Sequence, residues 1–148
     1  MGMYTELNIE VEINADNDTL AVIEYMTGKT DATLSDLKLP KHRLFSSPRW
    51  EFMLACDSFY FDHTACSSVV DKRPWEEDEH NDRILNVRCD LKNYDDEIEH
   101  FLDWIYPFTN TRGFVGYMRY EEDPDPTLIY FTSDGVKYKN LTGVMKQS

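Results

Sequence analysis

Basic side chains are scarce in this chain: 15 lysines and arginines stand against 28 aspartates and glutamates, a formal net charge of −13 over 148 residues. A surface of that sign repels a phosphate backbone, which excludes ordinary non-specific nucleic-acid binding and favours basic proteins or cations as partners. Cysteine is sparse too. Cys56, Cys66 and Cys89 form an odd set without a C-x-x-C spacing, which reads as reduced thiols of a cytoplasmic protein rather than a disulfide framework. No apolar run approaches the ~20 residues that span a bilayer, and the N-terminus has neither a basic nor an apolar signal region. The expectation is a soluble cytoplasmic chain without a membrane partner. Gly2 opens no myristoylation motif, because Glu6 stands where that motif needs Ser or Thr.

Chemical motifs are missing as well. Nothing in the chain matches G-x-S-x-G, a phosphate-binding loop or G-x-G-x-x-G, and the H-x-E and P-C-x-x-C pair of zinc deaminases is absent. Cys56, His63 and Cys66 are spaced C-x6-H-x2-C, with Cys89 or His80 as a fourth ligand, but this is not one of the strong zinc patterns. Cys89 is expected in the core and His63 in a loop. Glu122-Asp123-Pro124-Asp125 lacks the glycine and the spaced ligands of a calcium loop and reads as a turn. The sequence therefore favours a non-enzymatic protein with no catalytic residue, metal or cofactor assigned. Glu10, Glu12 and His63 are the best candidates for acid/base work.

What the chain does contain is 41% hydrophobic and 14% aromatic residues, enough for the core of a single domain spanning residues 1–148. Glu6–Ile13 alternates without a fault, placing Leu7, Ile9, Val11 and Ile13 on one face and Glu6, Asn8, Glu10 and Glu12 on the other, the pattern of a half-buried strand. Asp16-Asn17-Asp18 offers caps to a helix over Thr19–Thr27, with Leu20, Ile23 and Met26 as its apolar stripe and Gly28 as its stop. Residues 29–48 suit an irregular connection. Trp50–Phe61 favours a strand over a helical turn, Val69-Val70 leads into an exposed acidic loop over Asp71–Asp82, and Ile84–Leu91 alternates again.

The segment from Asn93 to Ile105 is the clearest helix. Ile98, Phe101, Leu102 and Ile105 recur at i, i+3, i+4 and i+7, Asn93 can cap, Asp95, Asp96 and Glu97 suit the positive end of the helix dipole, and Pro107 ends it. Strands over Gly113–Glu121 and Thr127–Thr132 flank a proline- and aspartate-rich turn, and the tail 137–148 is expected to fray. This order predicts an α+β two-layer sandwich: a ferredoxin-like βαββαβ unit with one additional C-terminal strand, its antiparallel sheet covered by helices on one face. The first strand would lie centrally. Its other face would carry Glu6, Glu10 and Glu12, with Arg88 and Arg119 paired to them from neighbouring strands and Tyr117 beside them.

Two surfaces stand out for binding. One is that sheet face, through Arg88, Tyr117 and Arg119. The other is the acidic loop, where Trp75 beside Glu76 and Glu77 combines an aromatic anchor with charge suited to a basic partner. A pocket between sheet and helices that takes a small molecule or nucleotide is the alternative. Free sheet faces and edges also suit a homodimer. Leu85-Asn86-Val87-Arg88, Leu91–Asp95, Glu97-Ile98, Phe101-Leu102-Asp103-Trp104-Ile105 and Gly116–Glu122 together resemble a family of small uncharacterised proteins from bacteria and their phages, over mainly the C-terminal two-thirds of the chain. That resemblance carries no activity over to any residue; the charge, the acidic loop with Trp75 and the lack of a catalytic set lead to the expectation of a phage or host-defence accessory, inhibitor-like in action, that occupies a basic surface on a partner.

Overall fold

The computed structural model describes residues 4–47, 49–54, 67–140 and 145–147. Strand β1 (Thr5–Asn14) follows the alternation of its sequence: Leu7, Ile9, Val11 and Ile13 are buried, while the glutamates between them are partly or fully exposed. Helix α1 (Asn17–Met26) starts where Asp16 accepts the Thr19 N–H at 3.1 Å, and Leu20, Ile23 and Met26 are buried as the stripe predicted. Gly28, at φ 75°, closes it.

Residues 29–47 hold two short 3-10 turns, Leu34–Asp36 and Arg43–Ser46, with Leu44 fully buried as an anchor. The preference for a strand from Trp50 is corrected over the part that is described: residues 49–54 form turns, with the Phe52 N–H donating to the Arg49 carbonyl at 3.2 Å. The reason lies in the spacing. Trp50, Met53 and Leu54 are buried while Phe52 is exposed, a three-and-four periodicity that a strand of period two cannot satisfy. The expected strand character of Ser58–Phe61, and Cys56, His63 and Cys66, lie outside the described residues.

Strands β2 (Ser68–Asp71) and β3 (Asp82–Leu91) flank the acidic loop. Helix α2 (Glu97–Ile105) buries Ile98, Phe101, Leu102 and Ile105, and ends ahead of Pro107. Its start differs in detail from the sequence reading. Asp96 is the N-cap in left-handed geometry and Asp95 precedes the helix, while Asn93 reaches in, its Oδ1 accepting the Ile98 N–H at 2.8 Å. Glu97 is fully buried, with Arg49 Nη2 3.3 Å from its Oε2 and its Oε1 accepting the Asp95 N–H.

Strands β4 (Gly113–Tyr120), β5 (Thr127–Thr132), β6 (Gly135–Lys139) and β7 (Met145–Gln147) follow. Among the described residues the strands form one sheet, antiparallel throughout, in the order β2-β3-β1-β4-β5-β6-β7. β1 lies between β3 and β4, as expected. The expected ferredoxin-like sheet with one added strand is not the arrangement found, because three strands extend beyond β4. The expected fraying is corrected at 137–139 and 145–147: Val136 and Tyr138 point into the core while Lys137 and Lys139 alternate with them, so this segment makes a hairpin with β5 and in turn receives β7. Both helices and one face of the sheet share one core, which Leu44, Trp50, Met53 and Leu54 complete. Gly116 permits the closest approach within the sheet. A Cβ there would lie 1.9 Å from the Asn8 carbonyl oxygen, next to a register shift between Phe114 and Gly116.

Candidate functional site

The sheet register settles what the glutamate face can do. Glu6 stands between Asp90 on β3 and Arg119 on β4, and Arg119 Nε donates to Glu6 Oε1 at 3.0 Å. The other end of the same guanidinium donates from Nη1 to the Asp123 carbonyl at 2.7 Å, so Arg119 ties β1 to the β4–β5 turn. It is a brace. Glu12 accepts from Lys72 Nζ at 2.8 Å. Arg88 and Tyr117 stand opposite Asn8 from its two sides, so the structure brings them into one row across three strands, about 10 Å apart at two strand spacings. Arg88 therefore does not face a glutamate across the strand. This face is also unevenly exposed: Asp90, in the row of Glu6 and Arg119, is 3% exposed.

The acidic loop is built from specific contacts. Arg73 Nη1 donates to both carboxylate oxygens of Glu76 at 3.0 Å, and Nη2 pairs with Asp82. Asp71 accepts the Arg73 N–H at 2.8 Å. His80 Nδ1 accepts the Asp82 N–H, which leaves Nε2 as the proton-bearing nitrogen facing Asp71 Oδ1 at 3.1 Å. Asn81 Nδ2 fastens the loop to the start of α1, donating to the Ala15 carbonyl at 2.7 Å and to Asn17 Oδ1 at 2.9 Å. A hydrogen bond from Asn14, then the Arg73 charge, holds the Asp82 carboxyl below its usual range against the effect of burial.

With those residues spent on structure, Trp75 is left 74% exposed among exposed Glu76, Glu77, Asp78 and Glu79. A groove of about 450 Å³ beside it is lined by Asp71, Glu77, Asp78, Glu79 and His80 together with Leu20 of α1. Cys56, His63 and Cys66, which His80 would join as a zinc ligand, lie outside the described residues; among the described residues no group of three histidine, cysteine or acidic side chains could hold a metal ion. Cys89 is fully buried.

A second concavity, of about 310 Å³, lies between sheet and helix, where the sequence reading allowed a pocket without naming its lining. It sits at the other end of β1, lined by Thr5, Asn93, Tyr94, Glu99, Met118, Tyr120, Asp123 and Thr127. Its lining was not legible in sequence because the walls come from β1, the start of α2 and the β4–β5 hairpin, which only the fold brings together: Tyr120 pairs with Thr5, and Met118 with both Leu7 and Thr127. Burial raises the Tyr120 hydroxyl above its ordinary pKa, with further contributions from Glu122, Tyr94 and Asp123.

The chain matches no protein-family model, and neither a curated protein nor a solved structure is significantly similar to it. Among the described residues no helix is long and apolar enough to cross a membrane.

Proposed function

We propose that this is a non-enzymatic, acidic, cytoplasmic binding protein that engages a basic surface on a partner protein, with the Trp75 loop as its contact. The observation that carries the reading is Trp75 itself, three-quarters exposed and held by an Arg73 and His80 framework inside a fence of carboxylates. An exposed tryptophan in a fixed loop loses little conformational freedom on docking, and an aromatic anchor ringed by charge is the usual composition of an interface hot spot. Glu76 belongs to the frame through Arg73, whereas Glu77 projects from it. An inhibitor-like role as a phage or host-defence accessory rests on the net charge, the Trp75 loop and the lack of a catalytic motif in the sequence.

Lysine- and arginine-rich peptides measured by fluorescence anisotropy test this reading. The expected result is binding that weakens with added salt and falls about fivefold or more on Trp75→Ala, with folding unchanged. Equal binding of acidic peptides, or indifference to both salt and the Trp75 substitution, would remove the basis for it.

A small-molecule site between sheet and helix is the second reading, and the Tyr94 and Tyr120 concavity favours it. Its lining argues against a nucleotide: Glu99 and Asp123 would repel phosphate, and neither Arg88 nor Arg119 is among the lining residues.

A further inference from the structure

We propose that the concavity bounded by Tyr94, Glu99, Tyr120 and Asp123 is a second binding site that takes the cationic end of a lysine or arginine side chain from a partner protein. The inference shares with the Trp75 reading the expectation of a basic partner, but it rests on separate residues. Thr5 and Asn14 are the two ends of β1, about 30 Å apart in an extended strand, with the concavity at the first and the acidic loop at the second.

The lining contains two carboxylates, two phenol rings and two threonines, and no lysine, arginine or histidine. Such a site disfavours anions and has hydrogen-bond acceptors for a cation. Glu99 is oriented by Asn93, whose Nδ2 donates to its Oε1 at 2.8 Å, while its Oε2 makes no hydrogen bond among the described residues. The Asp123 carboxylate likewise makes none, although its backbone is fixed: its N–H donates to the Tyr120 carbonyl at 2.9 Å, and its own carbonyl accepts from Arg119. Thr5, only 8% exposed, also belongs to the wall.

The rings suit the same ligand. An aromatic face attracts a cation held within about 6 Å of its centre. Tyr94 already does this inside the molecule, with the Arg49 guanidinium 5.8 Å from its ring centroid while Arg49 also pairs with Glu97. A volume of about 310 Å³ lies at the small end of ligand sites, suited to one side-chain terminus.

Chemical-shift titration tests this with N-acetyl-lysine N-methylamide, its trimethylammonium derivative and the uncharged tert-butyl isostere of that derivative. The cationic compounds should perturb Tyr94 and Tyr120 and bind about tenfold more tightly than the isostere, the difference expected of ~1.4 kcal/mol of cation–ring and carboxylate attraction. Glu99→Gln and Asp123→Asn should each weaken binding about three- to tenfold, Tyr120→Phe should preserve it, and Trp75→Ala should leave it unchanged. Two further arms separate the sources of the cation. A lysine-containing peptide should bind at least as well as the single amino-acid derivative, whereas binding of free spermidine without binding of the peptide overturns the side-chain assignment. Equal affinity for the uncharged isostere, or no perturbation of either tyrosine, overturns the site. Because the Trp75 loop is untouched by these variants, its own peptide assay reports separately.

Discussion

Asp16 illustrates how much a single residue can set. Its two oxygens accept from the Thr19 N–H and the Thr19 hydroxyl, and those bonds, the hydroxyl first, hold its carboxyl below the usual range. A lowered carboxylate stabilises the fold fully above its unfolded pKa of about 4, and that contribution is lost as the pH falls through the lower folded value. Asp16→Ala should therefore cost about 1 kcal/mol at neutral pH, and the gap from the parent protein in urea titrations should shrink below pH ~4. Gly116 works by omission. Gly116→Ala should destabilise by about 3 kcal/mol or more, since the Asn8 backbone occupies the space and cannot swing aside. The Asp16-Asn17-Asp18 run at the start of α1 advertised its cap in sequence, whereas nothing near Gly116 announced the clash, because Asn8 meets it only through strand pairing.

At the scale of elements, legibility followed how local the cause was. The periodicity of α2 and the alternation of β1 and β3 lie within single segments, and these elements stand where expected. At residues 49–54 the aromatic content favours a strand, whereas the spacing of the buried Trp50, Met53 and Leu54 carries the turn. β6 was missed because five residues of alternation carry little weight without the β5 edge beside them. The tyrosine-lined concavity was illegible for the same reason: it exists only once β4 has closed on β1. β6 also presses Tyr138 against α2, where burial and the nearby Glu99, Asp103 and Asp96 push its hydroxyl well above the ordinary tyrosine range. That hydroxyl is buried and has no hydrogen-bond partner among the described residues. Tyr138→Phe should accordingly leave stability unchanged or raise it by up to about 2 kcal/mol, a shift readable as a higher urea midpoint with an unchanged slope.

For the molecule as a whole, a net charge of −13 acts on encounter before it acts on affinity. Association with a cationic peptide should slow as ionic strength rises from ~0.05 to ~0.5 M, while its dissociation rate changes much less, a split that stopped-flow mixing can read. The order of the sheet has a different consequence. β1 is the centre of the pairing, yet its partners β3 and β4 both lie far along the chain. During synthesis β1 emerges ahead of both, and it must wait for them before its backbone is satisfied, with residues added at about 5–20 per second. Pairing of this kind also slows folding, because the chain must close long loops before any contact repays their entropy. For those seconds β1 is an unpaired strand with Leu7, Ile9, Val11 and Ile13 along one side. Glu6, Glu10 and Glu12 then keep nascent chains from joining edge to edge, a role the carboxylates perform before there is a folded face for them to occupy.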